Sequence, residues 1–361
     1  MALRHHEPVD PPPGRSDESS QSGQSGRLDL PQLQRLIALG ESDLALQAVA
    51  EHARRARVAG DLEQEFVAAV YWTRALFEFG QLAALEPVVG RLAELADAAA
   101  DPRWEAVVES ARAIGASRVG DLVAARAAVQ RAISRLRQPP PPTPWLPVGD
   151  AARWNVVFAA MALECHQLAE EMITTLPPVG PQGAPLESMG RGWLHADWAL
   201  LCEHDGDQPA ARRHWRTVVA ATEGVPAEGP RGLLCAALSR MARAGLGEDV
   251  GPLPADVVDP LRVQTARERR VVVLVAAARA AAIAEPPAVV EQWCVEALEV
   301  ASRTGMLRWR AEALRLAAPA RRALGRPADA QAAEQALEAV REELRWRRRL
   351  SRAYGDARLV G

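Results

Sequence analysis

A small turn residue recurs along this chain at intervals close to forty residues, and each copy lies between two apolar stretches with helical spacing. The series is Gly40, Gly80, Gly120, Glu164, Gly206, Gly245, Glu285 and Gly325. The repeating unit is therefore predicted to be a helix, a tight turn and a second helix. Periods of about 20–50 residues are typical of repeat proteins, in which each unit buries its apolar face only against its neighbours.

The second helix of each unit has a signature of its own. The clearest copy is Gly120-Asp121, which is followed by Ala125, Val129 and Ile133. Spacings of three and four residues place such side chains on one stripe of a helix. The first helices have a matching column of small residues before the turn, where two helices are expected to approach closely.

This Gly-Asp-x-x-x-Ala turn with its columns of small residues resembles the tetratricopeptide repeat family, over roughly residues 31–340. The resemblance implies an all-α, right-handed α-solenoid of about eight helix-turn-helix repeats. The family's usual unit is about 34 residues, and the longer unit is similar to sensor repeats of large bacterial transcriptional regulators and of some actinobacterial signalling proteins. HEAT and armadillo repeats share the longer period and are the structural alternative.

Composition divides the chain into three parts. Residues 1–26 are rich in Pro, Ser, Gln and Gly and are predicted to be a disordered tail. Residues 27–345 form the predicted solenoid, which a Pro-rich stretch at 138–149 interrupts. Residues 346–361 form a basic C-terminal tail, and the dense arginine run 345–352 is interpreted either as the solvated face of a capping helix or as a contact for nucleic acid.

Charge and cysteine content narrow the function classes. The net charge is −3 and all 43 basic residues are arginine, so lysine-dependent phosphate loops and pyridoxal Schiff bases are excluded. Four cysteines are scattered without CxxC spacing, as in a reducing compartment. No apolar run reaches the roughly 18 residues of a membrane span, and we expect a cytoplasmic protein without a membrane span.

One cluster has the residue types of a metal site. Cys202, His204 and Asp205 lie close in sequence to His195 and His214, and zinc needs ligands of these types that converge. Cys202 falls on the packed column while His214 belongs to the next helix, so we expect the group to diverge. No nucleophile elbow or glycine-rich phosphate loop occurs. We therefore expect no metal, no cofactor and no catalytic activity.

The resemblance implies that the first helices line a concave groove that binds a partner. The family's inward-facing columns select Arg74, Phe77, Ile114, Trp154, Phe158, Trp193, Asp197 and Arg279. Aromatic residues in the middle units would supply buried area, and Arg74 and Arg279 would fix charged ends. The alternative is that a register error of one position makes these residues part of the core.

The sequence therefore favours a non-catalytic scaffold that binds a protein or peptide on its concave face, with a small apolar ligand as a further option. Nucleic acid is not an expected partner outside the basic tail. The alternative function is a stand-alone sensor or regulatory module of a bacterial signalling or transcription-control system, with its output domain on another chain.

Overall fold

The computed structural model describes residues 30–39, 41–138, 149–175, 186–262 and 267–353, and these ranges are all-helical. The predicted tail 1–26, the turn residue Gly40 and the prolines within 139–148 lie outside the described residues. Sixteen α-helices form in the described ranges: α1 (Leu30–Leu39), α2 (Ser42–Ala59), α3 (Leu62–Glu78), α4 (Leu85–Ala99), α5 (Pro102–Val119), α6 (Leu122–Leu136), α7 (Gly149–Ala162), α8 (His166–Thr174), α9 (Leu186–His204), α10 (Gln208–Thr222), α11 (Gly229–Gly245), α12 (Ala255–Arg262), α13 (Arg267–Ala284), α14 (Pro287–Thr304), α15 (Leu307–Ala323) and α16 (Pro327–Ala353). A short 3-10 helix, Leu82–Ala84, precedes α4.

The predicted turn residues lie at breaks between packed helices. Gly80, Gly120, Gly206 and Gly325 all have φ between 68° and 82°, the left-handed region that glycine enters without a steric penalty. Glu164 takes the same region, with φ 63°, between α7 and α8. The helices joined at these turns pack against each other as pairs. We refer to the eight pairs α1–α2 to α15–α16 as hairpins one to eight.

Two turns depart from this geometry. Glu285 occupies a bend before Pro286, and α14 starts directly after that proline. Gly245 is the last residue of α11, and Gly247 takes the positive φ of 87° instead. Only eight residues form α12, which begins at Ala255, eight positions after Gly247. The unit after Gly245 is therefore less regular than the units around Gly120 and Gly206.

The Gly-Asp signature has a direct structural cause. Gly120 ends α5 in the left-handed conformation, and the Asp121 carboxylate then accepts a hydrogen bond of 3.0 Å from the Ala124 backbone N–H at the start of α6. Asp207 caps α10 in the same way, through the N–H of Ala210 at 3.0 Å. The pair thus ends one helix and begins the next, because glycine is favoured at C-caps and aspartate at N-caps.

The core consists of apolar contacts between consecutive helices. Each second helix packs on the first helix of the next hairpin, and first helices also meet directly, as α5 with α7 and α9 with α11. Among the largest fully buried side chains are Trp215, Trp309 and Phe66. Contact between α9 and α15 brings hairpins five and eight together.

An ion pair and a hydrogen bond join hairpins that are far apart in sequence. Arg269 at the start of α13 donates to Glu78 at the end of α3, over 3.0 Å. Arg118 on α5 donates to the Thr304 carbonyl at the end of α14, over 2.9 Å. The second and third hairpins therefore contact the seventh.

The C-terminal helix extends beyond the predicted boundary at residue 346. α16 continues to Ala353, so the first part of the predicted basic tail is helical. Arg348 binds the Asp205 carboxylate after α9, with one contact of 2.9 Å. Arg347 binds Glu343 one turn earlier, over 2.6 Å. Arg345 also pairs with Glu338, so three arginines of the dense run are neutralised within the chain itself.

Two glycines with different backbone conformations test the turn geometry. Gly120→Ala should lower the free energy of unfolding by about 1–2 kcal/mol, because an L-residue is strained at positive φ although nothing lies within 4 Å of the added Cβ. Gly90→Ala, at an equally open position inside α4, should raise it by about 0.5–1 kcal/mol. Urea denaturation measures the unfolding free energy of both variants. Equal effects of the two substitutions would contradict the assignment of a left-handed backbone to Gly120 and a helical backbone to Gly90.

Candidate functional site

Three aromatic side chains from α7 and α9 form one continuous contact. Trp154 and Phe158 are four residues apart on α7, which places them on the same helix face, and their ring centroids are 5.6 Å apart. Phe158 meets Trp193 of α9 edge-on, at 5.2 Å and 75°. Gly190 permits the Trp154 ring to lie close to the backbone of α9, because a Cβ at position 190 would be only 2.5 Å from that ring.

These aromatics adjoin a small cavity, which we call the inner pocket. Trp193 is only 3% exposed, whereas Trp154 and Phe158 are half-buried. The cavity has a volume of about 60 Å³, room for a few water molecules or one modest side chain. Its lining includes Phe158, Met161, Trp193, Asp197, Arg308 and Trp309, with Arg118, Glu164, Glu268, Met306 and Arg347 around them.

A buried ion cluster forms one wall of the inner pocket. Arg308 at the start of α15 forms ion pairs with Asp197 of α9 and with Glu164, the turn residue of hairpin four. Trp309 donates its indole N–H to Asp197 Oδ1 over 3.1 Å, and His166 Nε2 lies 3.5 Å from Oδ2. Side chains of hairpins four, five and eight therefore meet at the Asp197 carboxylate.

The two central charges stabilise each other in the ionised form. Burial alone would raise the pKa of Asp197, but the charge of Arg308, together with His166 and Trp309, holds that pKa below its usual value. Burial alone would lower the pKa of Arg308, but Asp197 and Glu164 raise it. Asp197 therefore stays ionised and Arg308 stays protonated near neutral pH, so neither side chain exchanges a proton there.

A second buried network surrounds Arg279 of α13. Its terminal nitrogens donate to Glu203 of α9 over 2.6 and 2.8 Å and to Glu312 of α15 over 2.8 Å. The guanidinium also lies 4.9 Å from the centroid of Trp215, whose indole N–H donates to Glu203 over 2.7 Å. Burial would raise the pKa of Glu312, but Arg279 and Arg315 lower it to about 2.

Three histidines stack around one tryptophan beside the ion cluster. The Trp198 ring is 4.4 Å from His214, 5.0 Å from His166 and 5.9 Å from His195. His195 Nδ1 and His214 Nδ1 are 2.9 Å apart, and His195 Nε2 is 3.3 Å from Glu170. One Nδ1 must donate and the other accept, because two protonated Nδ1 atoms would repel each other.

The expected divergence of the candidate metal ligands needs a correction for one pair. His195 and His214 meet, because α9 and α10 pack along their length and bring both side chains to the same side of Trp198. Within the described residues, however, no group of three or more His, Cys, Asp and Glu side chains has an arrangement that could hold a metal ion. The two side chains form a direct histidine–histidine contact.

The predicted groove residues separate into three environments. Phe158, Trp193 and Asp197 line the inner pocket, and Trp154 stacks beside them. Arg279 is buried in its own network, and Ile114 is buried on α5 at 5% exposure. The remaining two, Arg74 and Phe77, are half-buried on α3 and away from the pocket. The role of all eight in partner binding stays a prediction.

Sequence reasoning missed the residues that complete the pocket. Arg308 and Trp309 come from hairpin eight, more than a hundred residues after Asp197, and no spacing in the sequence connects them. One signal was present: Glu164 interrupts the series of turn glycines. A carboxylate that must be partly buried at a turn needs a cation, but the sequence does not indicate which arginine supplies it.

Comparison with models of known protein families and with curated protein sequences finds no match for this chain. Within the described residues, no helix combines the length and the apolar composition that a membrane crossing requires. The case for a function therefore depends on the geometry of the inner pocket and on the charges around it.

The ion cluster predicts a large stability effect at one residue. Asp197→Asn should lower the free energy of unfolding by about 3–5 kcal/mol, because it leaves the Arg308 charge buried with one partner fewer. The matched control is Asp205→Asn, which breaks a partly exposed pair with Arg348 and should cost about 1 kcal/mol or less. Chemical denaturation checks both, and similar losses would contradict the burial argument.

The histidine stack predicts a pH dependence. Burial, followed by the charges of His195, His166 and Arg213, lowers the pKa of His214 to about 4, against a smaller opposite effect of Asp207. The unfolded chain therefore binds this proton more tightly. The contribution to stability is complete above about pH 6.5 and is lost as the pH falls toward 4.

The test compares the wild type with His214→Gln over that range. After allowance for solvent screening, the wild type should lose on the order of 1–2 kcal/mol more unfolding free energy than the variant between about pH 7 and pH 4. Denaturation curves at successive pH values measure the unfolding free energy of both proteins. Parallel pH profiles for the two proteins would show that His214 does not titrate as described.

Proposed function

We propose that this chain is a non-catalytic binding protein, a right-handed solenoid of eight tetratricopeptide-like hairpins that holds a protein or peptide segment against its first helices. Support comes from the forty-residue period, from the pairing of consecutive helices, and from the contacts between first helices such as α5 with α7 and α9 with α11. Units of this kind present a continuous inner surface when they stack.

The inner pocket is the observation that carries this proposal. Phe158 lines a cavity of about 60 Å³ and Trp154 stacks on Phe158. Both side chains are only half-buried, so part of each ring is available to a partner. Aromatic anchors beside a cavity supply most of the binding energy in many interfaces. The cavity accommodates one apolar side chain of an extended segment, with the rest of the segment lying along α7 and α9.

The charges at this site favour binding over chemistry. Asp197 and Arg308 neutralise each other and are hydrogen-bonded to neighbours. A carboxylate held ionised by a guanidinium is a poor proton donor and a poor base near neutral pH. The ion cluster instead keeps the pocket wall rigid, and a preorganised wall lowers the entropy cost of binding.

The test uses Trp154 and a matched tryptophan elsewhere. Partners are captured from an extract of the producing cells with the wild-type protein and then titrated against Trp154→Ala and Trp346→Ala. The first substitution should weaken binding by about tenfold or more, since it removes an anchor of the kind that dominates interfaces. Trp346→Ala, at a residue that is 49% exposed and outside the pocket, should change the affinity less than twofold.

Circular dichroism of both variants must match the wild type for the comparison to hold. Trp193 is unsuitable for this purpose, because removing a side chain that is 3% exposed is expected to cost about 3–5 kcal/mol of stability. Unchanged affinity in Trp154→Ala would reject the pocket as the binding surface.

The regulatory alternative has one observation in its favour. The pairs Arg269–Glu78 and Arg118–Thr304 connect distant hairpins through only a few polar contacts, and such contacts can break if a ligand changes the winding of a solenoid. A captured partner that alters the radius of gyration in small-angle scattering supports a sensor. A partner that leaves the radius unchanged supports a rigid scaffold.

A further inference from the structure

A second cavity lies where hairpin two meets hairpin seven, and we call it the arginine pocket. Its lining is Ser42, Phe79, Gly80, Gln81, Arg267, Arg270, Glu299, Val300 and Arg303, around a volume of about 420 Å³. The start of α2, the turn after α3, the first turn of α13 and the last part of α14 contribute these residues. Nothing in the proposed function uses this cavity.

The charge in the arginine pocket is unbalanced. Three arginines line it with a single carboxylate, Glu299, which is already paired with Arg303 one turn away, over 3.1 Å. Within the described residues, neither Arg267 nor Arg270 has a carboxylate at ion-pair distance, and Arg270 Nε is buried without a hydrogen-bond partner. In the described part of the chain, the other arginines that line this cavity or the inner pocket, Arg118, Arg303, Arg308 and Arg347, all have a carboxylate partner.

The fold holds both arginines in place. The ion pair between Arg269 and Glu78, at 3.0 Å, fixes the first turn of α13 to the end of α3. Arg267 then packs directly on the turn at Gly80, where a Cβ would lie 2.5 Å from its Nη1 and 2.8 Å from its Cζ. The guanidinium is therefore positioned before any ligand arrives, and less entropy is lost on binding.

The neighbourhood adds to the positive potential. Burial and the charges of Arg74 and Arg269 lower the pKa of Arg231 to about 10, against the opposing effect of Glu78 and Tyr71. The inner side of hairpins two, six and seven is therefore rich in guanidinium groups relative to carboxylates. A cleft lined by one sign of charge concentrates counter-ions of the other sign.

We propose that the arginine pocket binds a small anion that carries a phosphoryl group. Guanidinium groups recognise phosphate oxygens through pairs of parallel hydrogen bonds, and two preplaced arginines can engage a phosphoryl group from two directions. The cavity is larger than an isolated phosphate needs, which leaves room for a second phosphoryl group or for the organic part of a phosphorylated metabolite.

The experiment is a calorimetric titration of the full chain with pyrophosphate and, separately, with inorganic phosphate, at about 150 mM salt. Both should bind, with pyrophosphate tighter. Arg267→Gln and Arg270→Gln should each weaken pyrophosphate binding by tenfold or more. The control is Arg216→Gln, which removes the same charge from an exposed position on α10 and should change the affinity less than twofold.

Glu299→Gln provides a test in the opposite direction. Removing the carboxylate releases Arg303 and deepens the positive potential, so pyrophosphate should bind a few-fold more tightly. A merely structural role for these residues does not produce a gain. Circular dichroism identifies variants that fail to fold, and Arg270→Gln and Glu299→Gln keep the test valid if Arg267→Gln disturbs the Gly80 turn.

Two results would overturn the proposal. One is the absence of measurable heat from the wild type at millimolar pyrophosphate, and the other is an equal loss in Arg216→Gln, which would indicate non-specific attraction. These results do not depend on the proposal for the inner pocket. The test with Trp154→Ala does not involve the arginine pocket, so either proposal can be rejected without the other.

Discussion

The buried guanidinium of Arg308 is the group on which the arrangement of the middle and last hairpins depends. Taking a full charge out of water costs several kcal/mol, and only close carboxylates and hydrogen bonds offset that cost. Asp197 on α9 and Glu164 at the turn of hairpin four supply them together. Hairpins four, five and eight must therefore meet in one register, and that register forms the inner pocket beside Trp193 and Trp309.

Charge balance distinguishes the inner pocket from the arginine pocket. In the inner pocket each central charge has its counter-charge, so what remains accessible is aromatic surface, which suits an apolar side chain. In the arginine pocket the guanidinium groups of Arg267 and Arg270 exceed the available carboxylates, which suits an anion. The same residue type, arginine, thus has opposite roles in the two places because of what lies within about 4 Å of it.

Much of the local structure could be predicted from the residues. The turn series placed the helix breaks, and the Gly120-Asp121 pair predicted a helix end followed directly by a helix start. The four-residue spacing of Trp154 and Phe158 placed both on one face of α7. These predictions succeed because helix caps, glycine conformations and helical periodicity depend only on neighbours in the chain.

Other predictions depended on contacts between distant segments. Arg279 pairs with Glu203 and Glu312, because the first helices of hairpins five, seven and eight converge on it. Its role at a charged end of a partner stays a prediction. His195 and His214 were expected to lie apart and instead touch. The sequence leaves the basic run at residues 345–352 as either a solvated helix face or a contact for nucleic acid, and the tertiary structure pairs Arg348 of this run with Asp205.

The sequence by itself therefore determined the helix-turn-helix unit and the order of its helices. Tertiary structure alone decided which of the 43 arginines are neutralised and which face a cavity without a counter-charge. The reason is physical. Helix formation is governed by interactions within about four residues, whereas the partner of a buried charge is chosen by packing between hairpins more than a hundred residues apart.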